Sequence, residues 1–260
     1  MNIPLIRSST YRVAGLAVAL AASMGLAQAA GSTSVTRAFI VQVPPAQDHA
    51  FNEGMKAYEK CLRDHATQVT TLAYSAETGD LSRYLFLNTY SSWAAMDAHS
   101  MADQACGATF AGQVLPHVGQ AFSEVAVLND KESYMPGGDP DPAPMMWVDA
   151  YRIKTGAGAA FSEAVTKLAA AAAKTHWDGH WSGWDTMGGG QGAEDFVMVW
   201  PNKNWADIGQ DPSPSAKDMM VGVYGADAAK SGHERFVASV AEEWSDVWSY
   251  NKDLSLIPGK

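Results

Sequence analysis

Two stretches of this chain repeat each other at a nearly constant offset, and that constrains the fold more than any single motif. Ala50-Phe-Asn-Glu53 returns as Ala160-Phe-Ser-Glu163, and Met55, Tyr58 and Leu62 return as Val165, Leu168 and Ala172, an offset of 110. Trp93 returns as Trp205, an offset of 112. Closer to the ends Phe122-Ser-Glu-Val125 corresponds to Trp244-Ser-Asp-Val247, an offset of 122. The second copy therefore holds an insertion, placed near residues 212–232, where Pro212-Ser-Pro-Ser215 and a Gly-spotted segment read as a loop.

Each copy has the same element pattern. Phe161, Ala164, Val165, Leu168, Ala169 and Ala172 form the apolar stripe of a core-facing helix, as do Phe51, Met55, Tyr58 and Leu62 in the first copy. Residues 37–43, 68–74, 83–90, 146–153, 179–186 and 195–200 are rich in β-branched and aromatic side chains and predict strands. Adding a second helix and a last strand gives βαββαβ twice, the ferredoxin-like order, over residues 36–131 and 145–256. Residues 132–144, too rich in Pro and Gly for helix or strand, are the linker. A sheet with helices on one face leaves the other face bare, and two such sheets packed together cover it. The expectation is an α+β barrel made within one chain, an internal pseudo-dimer and hence a monomer.

The first residues carry Arg7 and Arg12 and no acid, followed by an apolar run from Val13 to Leu26 and then Ala27-Gln-Ala29. This is the pattern of a secretory signal peptide ending at residue 29, too short and too interrupted for a membrane span. The expected location is periplasmic or secreted, with no membrane attachment after cleavage. A formal net charge of −10 without a basic stripe argues against nucleic acid as a partner. An oxidising compartment favours pairing of the only two cysteines, Cys61 and Cys106, and buried free thiols are the alternative.

Several chemistries are excluded by context. Ser182-Gly183 has no nucleophile elbow, and Gly188-Gly-Gly-Gln-Gly192 joins strands rather than opening a helix, so it cradles no phosphate. His176 and His180 have metal-ligand spacing only on a continuous helix, which Trp177-Asp-Gly179 interrupts. The Met145-Met146 and Met219-Met220 doublets lack a copper pattern. No metal or cofactor is expected.

The run Ser92-Trp-Ala-Ala-Met-Asp-Ala-His99, entered from the third strand of a duplicated ferredoxin-like unit, resembles the dimeric α+β barrel superfamily, in particular its antibiotic biosynthesis monooxygenase group. Trp93, Ala95, Met96, Ala98 and His99 carry that resemblance. It implies a small apolar or aromatic ligand between sheet and helices, and in some members oxygen chemistry without metal or cofactor. Only the first copy has the histidine; Asp211 stands where His99 would repeat. Relatives that degrade haem have an asparagine on the first strand where this chain offers Gln42, and of the Gly-x-x-Asp-Gly signature of related haem peroxidases only the tail occurs, in His176-Trp-Asp-Gly179. Haem is the lesser expectation, with His99, His117 or His233 as its ligands.

The expected site therefore lies in the first half: His99 as proton acceptor, Tyr90 and Trp93 as aromatic walls, Gln42 as polar anchor. Non-catalytic binding of a small aromatic or apolar molecule is the favoured function, and a cofactor-independent monooxygenase acting on a phenol or quinol is the alternative.

Overall fold

The computed structural model describes residues 34–97, 101–138 and 142–259. The expected signal peptide, His99 and the middle of the linker lie outside the described residues. The first half contains β1 (Val35–Gln42), α1 (Asp48–Asp64), β2 (Thr70–Ala76), β3 (Arg83–Tyr90), α2 (Trp93–Asp97), α3 (Met101–Gln113) and β4 (Gln120–Leu128). The second contains β5 (Met145–Ile153), α4 (Gly158–Thr175), β6 (Ser182–Gly188), β7 (Phe196–Asn202), α5 (Trp205–Ile208), α6 (Ala216–Tyr224), α7 (Ala226–Ser239) and β8 (Val240–Tyr250). All the strands join one closed, antiparallel barrel in the order β1-β3-β2-β8-β5-β7-β6-β4. Within each half the order is fourth, first, third, second strand, and the halves meet where β2 pairs with β8 and β4 with β6.

Alternation along the strands explains why they are apolar on both faces. Ala38, Ile40, Leu72, Tyr74, Leu85, Leu87, Met146, Val148, Trp248 and Tyr250 belong to one cluster that fills the barrel. Their neighbours point outward. Phe39, Val41, Ala73 and Phe86 meet Phe51 and Met55 of α1, while Tyr151, Phe196, Met198 and Trp200 meet Phe161 and Val165 of α4. A barrel core thus lies between two helix-to-sheet cores.

The segments after β4 and β8 each cross to the other half. Beyond β4, Tyr134 bridges to Trp181, and the Trp181 indole donates to the Glu132 carbonyl at 2.8 Å. Beyond β8, Leu256 bridges to Thr71, the Ala73 amide donates to Ser255 Oγ at 2.9 Å, and Leu254 and Leu256 pack under α1, at 0% and 1% exposure. Such reciprocal latches join halves whose direct seam between β2 and β8 is only three residue pairs long.

Two expectations need adjusting. The segment at 212–232 is helical rather than a loop: Ser215 caps α6 by accepting from the Asp218 amide, and Met219 and Met220 of α6 pack against the second core. The strand expected at 179–186 begins at Ser182, because Trp177 folds its ring over Gly179 and occupies the space a strand side chain would take.

Two carboxyls make stability pH-dependent. Burial pushes Glu124 up to about 8, helped by the neighbouring carboxyl of Glu194, and burial pushes Glu59 up to about 7 against the pull of Arg63. Both are protonated in the fold at pH values where the unfolded chain ionises them. Their contribution is fully present below the ordinary carboxylate pKa, near ~4.5, and is lost as pH rises through about 7 to 8. The melting temperature should therefore fall between about pH 5 and pH 9, and Glu59→Gln with Glu124→Gln should flatten the slope. Equal slopes in the variant and the parent would assign the dependence to other groups.

Candidate functional site

Between the outer face of the first-half sheet and the α1–α3 pair lies a cavity of about 560 Å³. Strand pairing lays out its floor. Arg37 of β1 is opposite Asn88 of β3, which is opposite Thr71 of β2, so one row across the sheet is polar. The next row, Phe39, Phe86 and Ala73, is apolar. Ser123 of β4 lies opposite Phe39 and accepts from Arg37 Nε at 3.1 Å. The roof is Phe51, Met55, Tyr58 and Leu62 of α1 with Asp103 and Phe110 of α3, and Tyr90, Leu115 and Phe122 complete the wall. Leu115 and Phe122 are exposed, which marks the side open to solvent.

Three features hold this roof. Gly54 lets α1 reach the end of α3, since a Cβ there would stand 1.9 Å from the Gln113 carbonyl oxygen. Cys61 and Cys106 form a disulfide between the two helices, with Cα atoms 5.8 Å apart. Tyr58 packs on Phe110 with ring centres 5.0 Å apart and hydrogen-bonds Asp103; burial first, then that carboxylate, raises its hydroxyl to about 12, so it stays a donor.

In the second half the same register positions carry tryptophan. Trp147 pairs with Trp200 as Arg37 does with Asn88, and Trp181 takes the place of Thr71 at the cross-half bridge. Trp181 and Trp200 pack with ring centres 5.2 Å apart and planes tilted by 40°, and Asp149 accepts from both the Trp147 and the Trp200 indole. Met219 of α6 and Phe236 of α7 pack into the same cluster.

Of the residues expected at the site, Tyr90 lines the cavity. Trp93 opens α2 at 48% exposure and does not line it, and Gln42 donates to Asp80 Oδ2 at 2.6 Å at the strand end. His99 lies outside the described residues, between α2 and α3 in sequence. The amide that reaches the cavity is instead that of Asn88. Arg37, Thr71, Asn88 and Ser123 were not anticipated; the available signal was the arginine in the alternating outward set Arg37, Phe39, Val41.

The cavity lining includes no histidine among the described residues, so a haem placed there would find no imidazole for its iron among them. His117 faces Gln47 Oε1 at 2.8 Å. His176 caps α4 in the left-handed region, at φ 51°, which turns the chain away before His180. Cys61, His65 and Cys106 cluster as metal-ligating types, but the sulfurs are bonded to each other. No helix of the described residues is long and apolar enough to cross a membrane.

No family model and no curated protein matches this sequence. Solved structures do match. A candidate monooxygenase from Lactobacillus acidophilus superposes with a TM-score of 0.51 at 11% identity, covering 87% of this chain and 97% of its own. An anthrone oxidase-like protein gives 0.52 at 14% identity, with 88% and 94% covered. A chlorite dismutase variant from Candidatus Nitrospira defluvii gives 0.51 at 10% identity, with 86% and 93% covered. These are members of the dimeric α+β barrel superfamily, and this chain resembles them at the level of the fold.

Proposed function

We propose that this chain is an exported binding protein for a small aromatic molecule, held in the first-half cavity without metal or nucleotide. The observation that carries the reading is the contrast between equivalent sheet positions: tryptophans fill the second half, whereas Arg37, Thr71 and Asn88 leave an aromatic-walled space in the first. Its volume of about 560 Å³ falls in the range of small-molecule sites, and its apolar walls with a few polar groups are what such sites use. In the same proposal residues 1–29 are a cleaved leader. The halves are tandem ferredoxin-like copies whose sheets close on each other, so the mature chain is a monomer.

The test is titration with phenylnaphthylamine, a neutral dye that brightens in apolar surroundings. The parent should bind one dye per chain. Ala121→Trp, which sends an indole into the cavity from an exposed strand position, should weaken binding by about tenfold or more without lowering the melting temperature. No saturable binding, or equal binding in the variant, would reject the reading.

A second reading is a cofactor-independent monooxygenase-like enzyme acting on a phenol or quinol, favoured by the names of two structural neighbours. In it His99 takes the phenolic proton and Tyr90 flanks the ring. Oxygen uptake on adding a quinol to metal-free protein separates the two: uptake abolished by His99→Ala supports the enzyme, and its absence in the parent supports simple binding.

A further inference from the structure

Arg37 is the one arginine of the described residues without a carboxylate partner. Arg63, Arg83, Arg152 and Arg235 lie within ion-pair distance of Glu59, Asp246, Glu242 and Glu163. Arg37 instead gives its Nε to Ser123 and rests its guanidinium 4.6 Å from the centre of the Phe39 ring. Arg37 lines the cavity, and its terminal nitrogens receive no acceptor from the described chain. Arg37 is exposed, so its charge stays solvated at the open side of the cavity and is free to meet an incoming anion.

The residue beside it has the same polarity. Thr71 Oγ1 donates to Asn88 Oδ1 at 2.8 Å, which leaves the amide nitrogen as the group Asn88 can offer. Since Arg37 and Asn88 are direct cross-strand partners, their Cβ atoms stand about 5 Å apart, and both side chains rise from the cavity floor. The pair offers N–H donors and no free acceptor, a match for a planar two-oxygen anion. The one acid in the lining among the described residues, Asp103, sits on the roof and accepts from the Tyr58 hydroxyl. Around the donors stand Phe39, Phe86, Phe110 and Tyr90, which suit a ring.

We propose that the cavity selects aromatic ligands bearing one carboxylate, which Arg37 and Asn88 bind through the guanidinium and the amide nitrogen. This inference rests on the binding function proposed above and adds the ligand class. Arg37 is then a specificity residue: its charge-assisted bonds separate an acid from its neutral amide, while the ring contacts are common to both.

The experiment compares naphthoate with naphthamide by calorimetry, on the full chain and on Arg37→Gln, with phenylnaphthylamine binding measured beside them. The parent should bind naphthoate about tenfold or more tightly than naphthamide. In Arg37→Gln the two ligands should bind within about twofold of each other, with the melting temperature unchanged to show that the fold is intact. Equal binding of acid and amide by the parent, or a preference that survives in Arg37→Gln, would overturn the carboxylate assignment and leave the binding function standing. If neither naphthoate, naphthamide nor the dye binds the parent, both fall.

Discussion

Replacing Leu254 and Leu256 by alanine together should destabilise the protein by about 4 kcal/mol or more. Both side chains are fully buried, yet they belong to the segment after the last strand. They sit in different clusters, Leu254 with Phe51 and Met55, Leu256 with Leu62 and Cys106, so each leaves its own cavity under α1. A buried leucine cut to alanine costs roughly 2–5 kcal/mol, and the two clusters share Tyr58, so the pair is expected at the lower end of the sum. Against the roughly 5–15 kcal/mol that keeps a domain folded, that is a large share. The loss falls on the latch that carries the second half's end onto the first, so urea unfolding should show a lower midpoint and, where the latch opens first, a broadened transition. A midpoint shift equivalent to less than about 1 kcal/mol would mean the tail is an ornament.

The second large effect is that of the disulfide. Cys61→Ala with Cys106→Ala should lower stability by up to about 4 kcal/mol, the chain-entropy value for a loop of 45 residues. For a chain of this size that is a fall of roughly 8–16 °C in melting temperature. The reason the bond matters is visible in α3, where only Ala102 and Cys106 are buried. A helix that roofs a cavity has little core beneath it to hold it, and the covalent link to α1 takes over part of that task. The variant should therefore bind phenylnaphthylamine more weakly even far below its own melting temperature. Unchanged melting and unchanged binding would show that the roof is held by packing alone.

The matching order of elements in the two halves was readable because the side chains that recur, Phe51 with Phe161 and Trp93 with Trp205, are large and lie in corresponding helices. Closure into a barrel followed from the strands themselves: Ala38, Leu72 and Leu85 are apolar on the face that helices do not cover, and water would not tolerate that face exposed. The helix of the insertion was missed although Ser215 and Asp218 make a cap, because Pro212 and Pro214 and scattered glycines dominated the local composition. The polar row of the cavity was missed for a different reason. Arg37, Asn88 and Thr71 are far apart in sequence and become neighbours only through a register that no local pattern specifies. Gln42 was the nearest amide by strand order, but it falls at the strand end, where Asp80 takes it. That tryptophans pack the second half could be suspected from their number, but which of them meet depends on strand register, as in the pairing of Trp147 with Trp200.

The central claim is that one half holds a ligand and the other is filled by its own side chains. The most direct measurement is an anomalous difference map from crystals soaked in bromonaphthoate. The account predicts one bromine peak per chain, beneath α1 and α3 and above the sheet that carries Arg37, Phe39, Phe86 and Asn88. A peak beneath α4 and α7, where Trp181 and Trp200 stand, or peaks only on the outer surface, would contradict it.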